Sequence, residues 1–84
     1  MDENFKRRSN RGGLQTVLLR SCPPDLVDGS VSIPRLAEHI DLTPQGIYRW
    51  IRKGPRGKIP VPQARRIAAL SEGRTTFEDF LDFL

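Results

Sequence analysis

The sequence predicts an all-α fold, a compact bundle of about five short helices in a single domain. Three observations carry that expectation. Apolar residues recur at three- and four-residue intervals in several short windows of the 84-residue chain, the period of a helix with one buried face. Ser32 and Thr43 stand just ahead of two of these windows, and Pro44 follows Thr43 directly, as at a helix N-terminus. Pro23-Pro24, Asp28-Gly29, Gly54 and Gly73 fall between windows, where turns and helix ends belong.

The elements follow in order. Residues 1–13 are polar and charged and end in Gly12-Gly13, so they read as a flexible basic arm unable to bury apolar surface. Residues 14–84 form the domain. Leu14, Val17 and Leu18, with Leu19 and Arg20, fit a two-turn amphipathic helix that ends at Pro23-Pro24. A connecting loop runs over residues 22–32, with Asp25, Leu26 and Val27 as a helical turn within it. Ser32 caps the next helix. Leu36, Ala37 and Ile40 share one stripe of it, leaving Arg35, Glu38 and His39 outward,. The small Ala37 lets another helix cross closely, and Leu42 closes that crossing.

Thr43 and Pro44 start a third helix. Ile47, Trp50 and Ile51 face the second helix, while Gln45, Tyr48, Arg49 and Arg52 face away,. Gly54 stops it, and a loop with two exposed bases, Arg56 and Lys58, follows. Pro62 opens a fourth helix with Ala64, Ile67, Ala68 and Leu70 inward and Gln63, Arg65 and Arg66 outward; Gly73 ends it. Thr75 and Glu78 form a capping-box pattern ahead of Phe77, Phe80, Leu81 and Leu84, spaced as an α-helical stripe,. Phe83 falls off that stripe. Phe80, Leu81, Phe83 and Leu84 are therefore the candidate dimerisation surface, although the simplest role for Phe77, Phe80 and Leu81 is core.

Charge separates the chain into sides. The formal net charge is only +4, but no acidic residue occurs between Asp41 and Glu72, an interval that holds Arg49, Arg52, Lys53, Arg56, Lys58, Arg65 and Arg66. Lys6, Arg7, Arg8 and Arg11 add a second cluster, whereas Glu72, Glu78, Asp79 and Asp82 gather near the far end. Such asymmetry suits a polyanion on one side. The outward set of the third helix has the chemistry of a major-groove reader. Gln can bond both donor and acceptor of an adenine edge, and Arg can bond guanine twice. Gln45, Gly46, Tyr48 and Arg49 are the candidate base readers. Gly46 costs about 1 kcal/mol in a helix relative to Ala, which suggests close approach of DNA or a neighbouring helix, or mere tolerance. Thr43, Arg52, Lys53, Arg56 and Lys58 are the candidate phosphate contacts, joined by Lys6, Arg7 and Arg8 if the arm follows the backbone or enters the minor groove.

Residues 33–53, with Ala37 in the first helix of the pair and Ile47 and Trp50 in the second, resemble the helix-turn-helix of lambda-type phage repressors of the Cro/C1 kind. Asp41 stands where that family usually has glycine, and aspartate tolerates the left-handed conformation better than most residues. The stretch from Ile59 to Phe80 resembles the closing helices of small Cro-like prophage regulators, so the likeness covers about residues 31–80. It implies a lambda repressor-like bundle and a repressor that binds an operator as a homodimer, its reading helices about 34 Å apart. Tyr48-Arg-Trp-Ile-Arg-Lys-Gly, followed by a basic loop and Ile59-Pro60, also resembles excisionase-like winged helices that bend DNA. A paired hairpin over residues 56–59 distinguishes them. A third alternative is an antitoxin-like interaction module whose acidic aromatic end docks on a protein.

Other chemistry has little support in the residues. The single Cys22 excludes an internal disulfide and a cysteine-based zinc site, and the single His39 sits on an outward helical face,. No nucleophile–base pair, nucleotide-cradling loop or metal set stands out, so neither an enzyme, a cofactor, a metal nor a small-molecule substrate is expected. No apolar run reaches the ~20 residues of a membrane span. A cytoplasmic protein associated with DNA is the expectation.

Overall fold

The structure, a computed structural model, describes residues 13–84. Lys6, Arg7 and Arg8, and the rest of the expected arm up to Gly12, lie outside the described residues. The fold is an all-helical bundle: α1 (Leu14–Ser21), α2 (Ile33–His39), α3 (Pro44–Arg52), α4 (Val61–Leu70) and a closing 3-10 helix (Phe77–Phe83), with no strand among the described residues. Its principal extents are 34 × 28 × 19 Å. Among the described residues, no helix is long and apolar enough to cross a membrane.

α1 lies at the centre and touches every other helix. Leu14, Val17, Leu18 and Ser21 are buried along it at the expected helical spacing,. Gly13 belongs to this domain and not to the arm. It is buried, caps α1 with φ 82°, and a β-carbon there would lie 2.7 Å from the Arg56 carbonyl oxygen.

α2 and α3 form as their caps direct. The Ser32 hydroxyl accepts from the Arg35 amide at 3.2 Å, and that of Thr43 from the Gly46 amide at 3.3 Å,. Leu36, Ala37 and Ile40 are buried against Ile47 in one core. The end of α2 is a Schellman turn. The Leu42 amide donates to the Ala37 carbonyl at 2.8 Å and the Asp41 amide to that of Glu38 at 3.3 Å, with Asp41 left-handed at φ 61°,. Ala64 and Ile67 of α4 are buried as expected, but Leu70 is exposed, because the chain turns away after it through Glu72 (φ 57°) and Gly73 (φ 90°).

The end of the chain corrects two expectations. Its helix is 3-10, with three residues per turn, so Phe77, Phe80 and Phe83 share one face where an α-helix would align Phe77, Phe80, Leu81 and Leu84. Phe80 and Phe83 are accordingly buried in the protomer's own core, while Leu81 is 54% exposed. Phe80 and Phe83 thus cannot line an open docking patch. The cap also sits one residue later. The Thr76 amide donates to Asp79 Oδ2 at 2.9 Å, because Thr75 is drawn inside. There Ser21 and Thr75 hydroxyls are 2.7 Å apart, Ser21 donates to the Val17 carbonyl at 3.0 Å, and the Thr75 amide donates to Ser71 Oγ at 3.1 Å. Three buried hydroxyls thereby join α1, the end of α4 and the closing helix, each satisfied as burial requires.

Candidate nucleic-acid interface

α3 is amphipathic in the strict sense: Ile47 is fully buried, Trp50 and Ile51 are half-buried, and Gln45, Arg49 and Arg52 are exposed. Gln45 and Arg49 are four residues apart, hence on one face and about 6 Å apart along the axis. Tyr48 is less outward than the pattern implies. It is half-buried and packs against the core, with the Arg52 guanidinium carbon 5.9 Å from its ring centroid. Together Gln45, Tyr48, Arg49, Arg52 and Lys53 line an open depression of about 520 Å³.

A second depression of about 450 Å³ adjoins it, with Arg49 and Lys53 lining both. Lys58 meets them there across a floor of Trp50, Ile59, Val61 and Leu84. The loop geometry makes this possible. The Lys58 amide donates to the Trp50 carbonyl at 2.9 Å and the Ile59 amide to that of Phe83 at 2.8 Å, while the Leu14 amide donates to that of Arg56 at 2.8 Å. This backbone is therefore tied to α3, the closing helix and α1, and residues 56–59 are not a paired hairpin. The wing that an excisionase-like fold needs is missing from this position. Arg56 separates from the other bases, its guanidinium carbon 5.4 Å from the Phe83 ring centroid. Arg65 stacks likewise on Phe77 at 4.4 Å.

The charge of the surface is available. Among the described residues, no ion pair engages Arg49, Arg52, Lys53 or Lys58; the pairs are Arg20 with Asp79, Arg35 with Asp25, and Arg74 with Glu72. A cluster of like charges with no ion-pair partner among the described residues favours an anionic partner. Thr43 is exposed, and its hydroxyl, while accepting from Gly46, retains a proton to donate,. At Gly46 a β-carbon would meet only Thr43 Oγ1, at 3.5 Å, so no neighbouring helix demands glycine there. His39 is exposed, its Nε2 3.0 Å from the Leu70 carbonyl oxygen. Sequence reasoning missed Trp50 and Leu84 as part of this surface, having directed Trp50 wholly toward α2 and Leu84 toward a dimer. The signal was Trp50's position beside Arg49, at the edge of the buried stripe. No family model, curated protein or solved structure matches this chain.

Proposed function

We propose that the chain is a sequence-specific DNA-binding transcriptional regulator of the cytoplasm, a Cro-type repressor of phage or prophage that binds its operator as a dimer through the major groove. The observation that carries this reading is the exposure of Gln45 and Arg49 on one face of α3 above the buried Ile47. A helix of this length spans about 13 Å, comparable to the groove's width of about 12 Å. Gln45 and Arg49 reach the edges of neighbouring base pairs, and Tyr48 meets a thymine methyl or a phosphate. Thr43 meets a phosphate at the start of α3. Arg52, Lys53 and Lys58 supply attraction that does not depend on sequence.

Selection of duplexes from a random pool, read by sequencing, tests the reading together with two variants. Arg49→Ala is expected to weaken binding by about 1–3 kcal/mol and relax one base position, whereas Lys58→Ala weakens all sequences alike and lowers the salt slope by about 0.9. No enriched sequence in the wild-type selection overturns the reading. Gly46→Ala sharpens it: the folded chain has room for the methyl, so stability rises by up to about 1 kcal/mol, yet affinity falls if DNA approaches there. Thermal melting and a duplex titration of the same sample separate the two effects.

A further inference from the structure

The depression enclosed by the end of α3, residues 58–61 and the end of the closing helix has an apolar floor that a DNA duplex does not need. Trp50, Ile59, Val61 and Leu84 form it with Pro60 beside them, and Arg49, Lys53 and Lys58 stand at its rim. Its lining includes no acidic side chain, and the Trp50 indole is its only neutral polar group. The neighbouring depression differs: the amide of Gln45, the phenol of Tyr48 and the guanidinium of Arg52 line it, groups suited to base edges and phosphates. A phosphate backbone gains from the three cations of the rim, but nothing from the aliphatic floor beneath them.

Charge, floor and shape together describe a ligand. Among the described residues, no ion pair engages the three rim cations, so they attract an anion. Val61 is 42% exposed, and Trp50 and Leu84 are half-buried, so covering the floor removes apolar surface from water. The walls are fixed in advance by the bonds of the Lys58 amide to the Trp50 carbonyl and of the Ile59 amide to that of Phe83, which lowers the cost of ordering on binding. The volume of about 450 Å³ falls in the range of small-molecule sites, about 300–1,000 Å³. A bare anion leaves the floor wet, and a neutral hydrocarbon leaves the rim unanswered. One carboxylate on a hydrocarbon body satisfies both: its planar oxygens match the fork of Arg49, and a single charge costs less to desolvate over apolar surface than the double charge of a phosphate ester.

We propose that this hollow is an effector site for a small carboxylate with a hydrocarbon body, and that filling it excludes DNA, because Arg49 and Lys53 line both depressions. The site stands apart from the reading of DNA, whereas the exclusion rests on that reading. Trp50 is the only tryptophan of the chain, so its fluorescence reports occupancy directly. Titration of the full chain with decanoate, in the absence of nucleic acid, is expected to give a saturable one-to-one change with a Kd on the order of 0.1–1 mM. Affinity should fall roughly twofold for each methylene removed through octanoate to hexanoate. Lys58→Gln, which removes a rim charge, and Val61→Ser, which makes the floor polar, are each expected to raise Kd about threefold or more at unchanged melting temperature. No saturable change below about 5 mM overturns the proposal. So do equal affinities for acetate and decanoate, the mark of charge alone, equal affinities for octanoate and octanol, the mark of apolar contact alone, and unchanged affinity in both variants, which places the carboxylate elsewhere. In a second titration, decanoate at about ten times its Kd is expected to raise the Kd of the selected duplex about tenfold relative to an equal concentration of acetate, which holds the ionic strength constant; unchanged duplex affinity overturns the exclusion. Failure of the first titration leaves the reading of DNA standing, and failure of the duplex selection leaves the carboxylate site standing.

Discussion

The two long loops of this protein use their backbone polar groups in opposite ways. Residues 22–32 bond mainly to themselves, through Asp25, Asp28, Gly29 and Ser30, and send their apolar side chains outward. Residues 53–60 bond to three different helices and send their charges outward. One loop is a self-supporting projection and the other a keystone. A loop's contribution to stability therefore follows from where its amides and carbonyls find partners, and its length says little about it.

The sharpest way to break this contrast is with one glycine from each loop, Gly57 and Gly29. At Gly57, φ is 101° and a β-carbon would lie 2.6 Å from Leu14 Cβ, so Gly57→Ala must move α1 or the loop. A loss of about 3 kcal/mol is expected in chemical denaturation. Gly29 is also left-handed, at φ 71°, but nothing lies within 4 Å of its β-position. Gly29→Ala is then expected to cost only about 1 kcal/mol, from backbone strain alone. Equal losses in the two variants would dissolve the distinction.

Acidification supplies the smallest and most local test. Because the folded-state pKa of Asp25 is lowered, first by the Val27 amide and then by that of Asp28, its stabilisation is complete above the ordinary carboxylate pKa. It is lost as pH falls through the depressed folded value. The protection of the Val27 and Asp28 amides relative to their intrinsic exchange rates should therefore fall in acid, while Lys58 and Ile59, whose partners are backbone carbonyls, keep theirs. Simultaneous loss at both loops would show that they open as one unit.

The same contrast marks what could be read from residues alone. The pair α2 and α3 was legible because local chemistry determines it: Ser32 and Thr43 as caps, Pro44 behind one of them, Asp41 at the left-handed turn and the buried stripe through Ala37 and Ile47. The candidate reading face came with it, since an amphipathic helix assigns its own outside. The closing helix was not legible in detail, because choosing three residues per turn over 3.6 depends on tertiary partners, here the Ile59 amide on Phe83 and the hydroxyl of Thr75 on Ser21. That choice reversed Phe83. Residues 22–32 read correctly as a loop, but the direction of Leu26 and Val27 follows from the carboxylate of Asp25 accepting from the amides of Val27 and Asp28, a geometry that composition does not encode. Gly13 looked like the end of a leader because its tight neighbour, Arg56, is far away in sequence.

The central position of α1 governs how the molecule comes apart. An eight-residue helix in contact with the four other described helices cannot swing out and leave a smaller folded remnant, since each remaining helix would expose the side it had turned toward that axle. Opening anywhere beyond the tips of the loops thus commits the whole molecule, and a chain this small gains all-or-none unfolding from a single shared spindle.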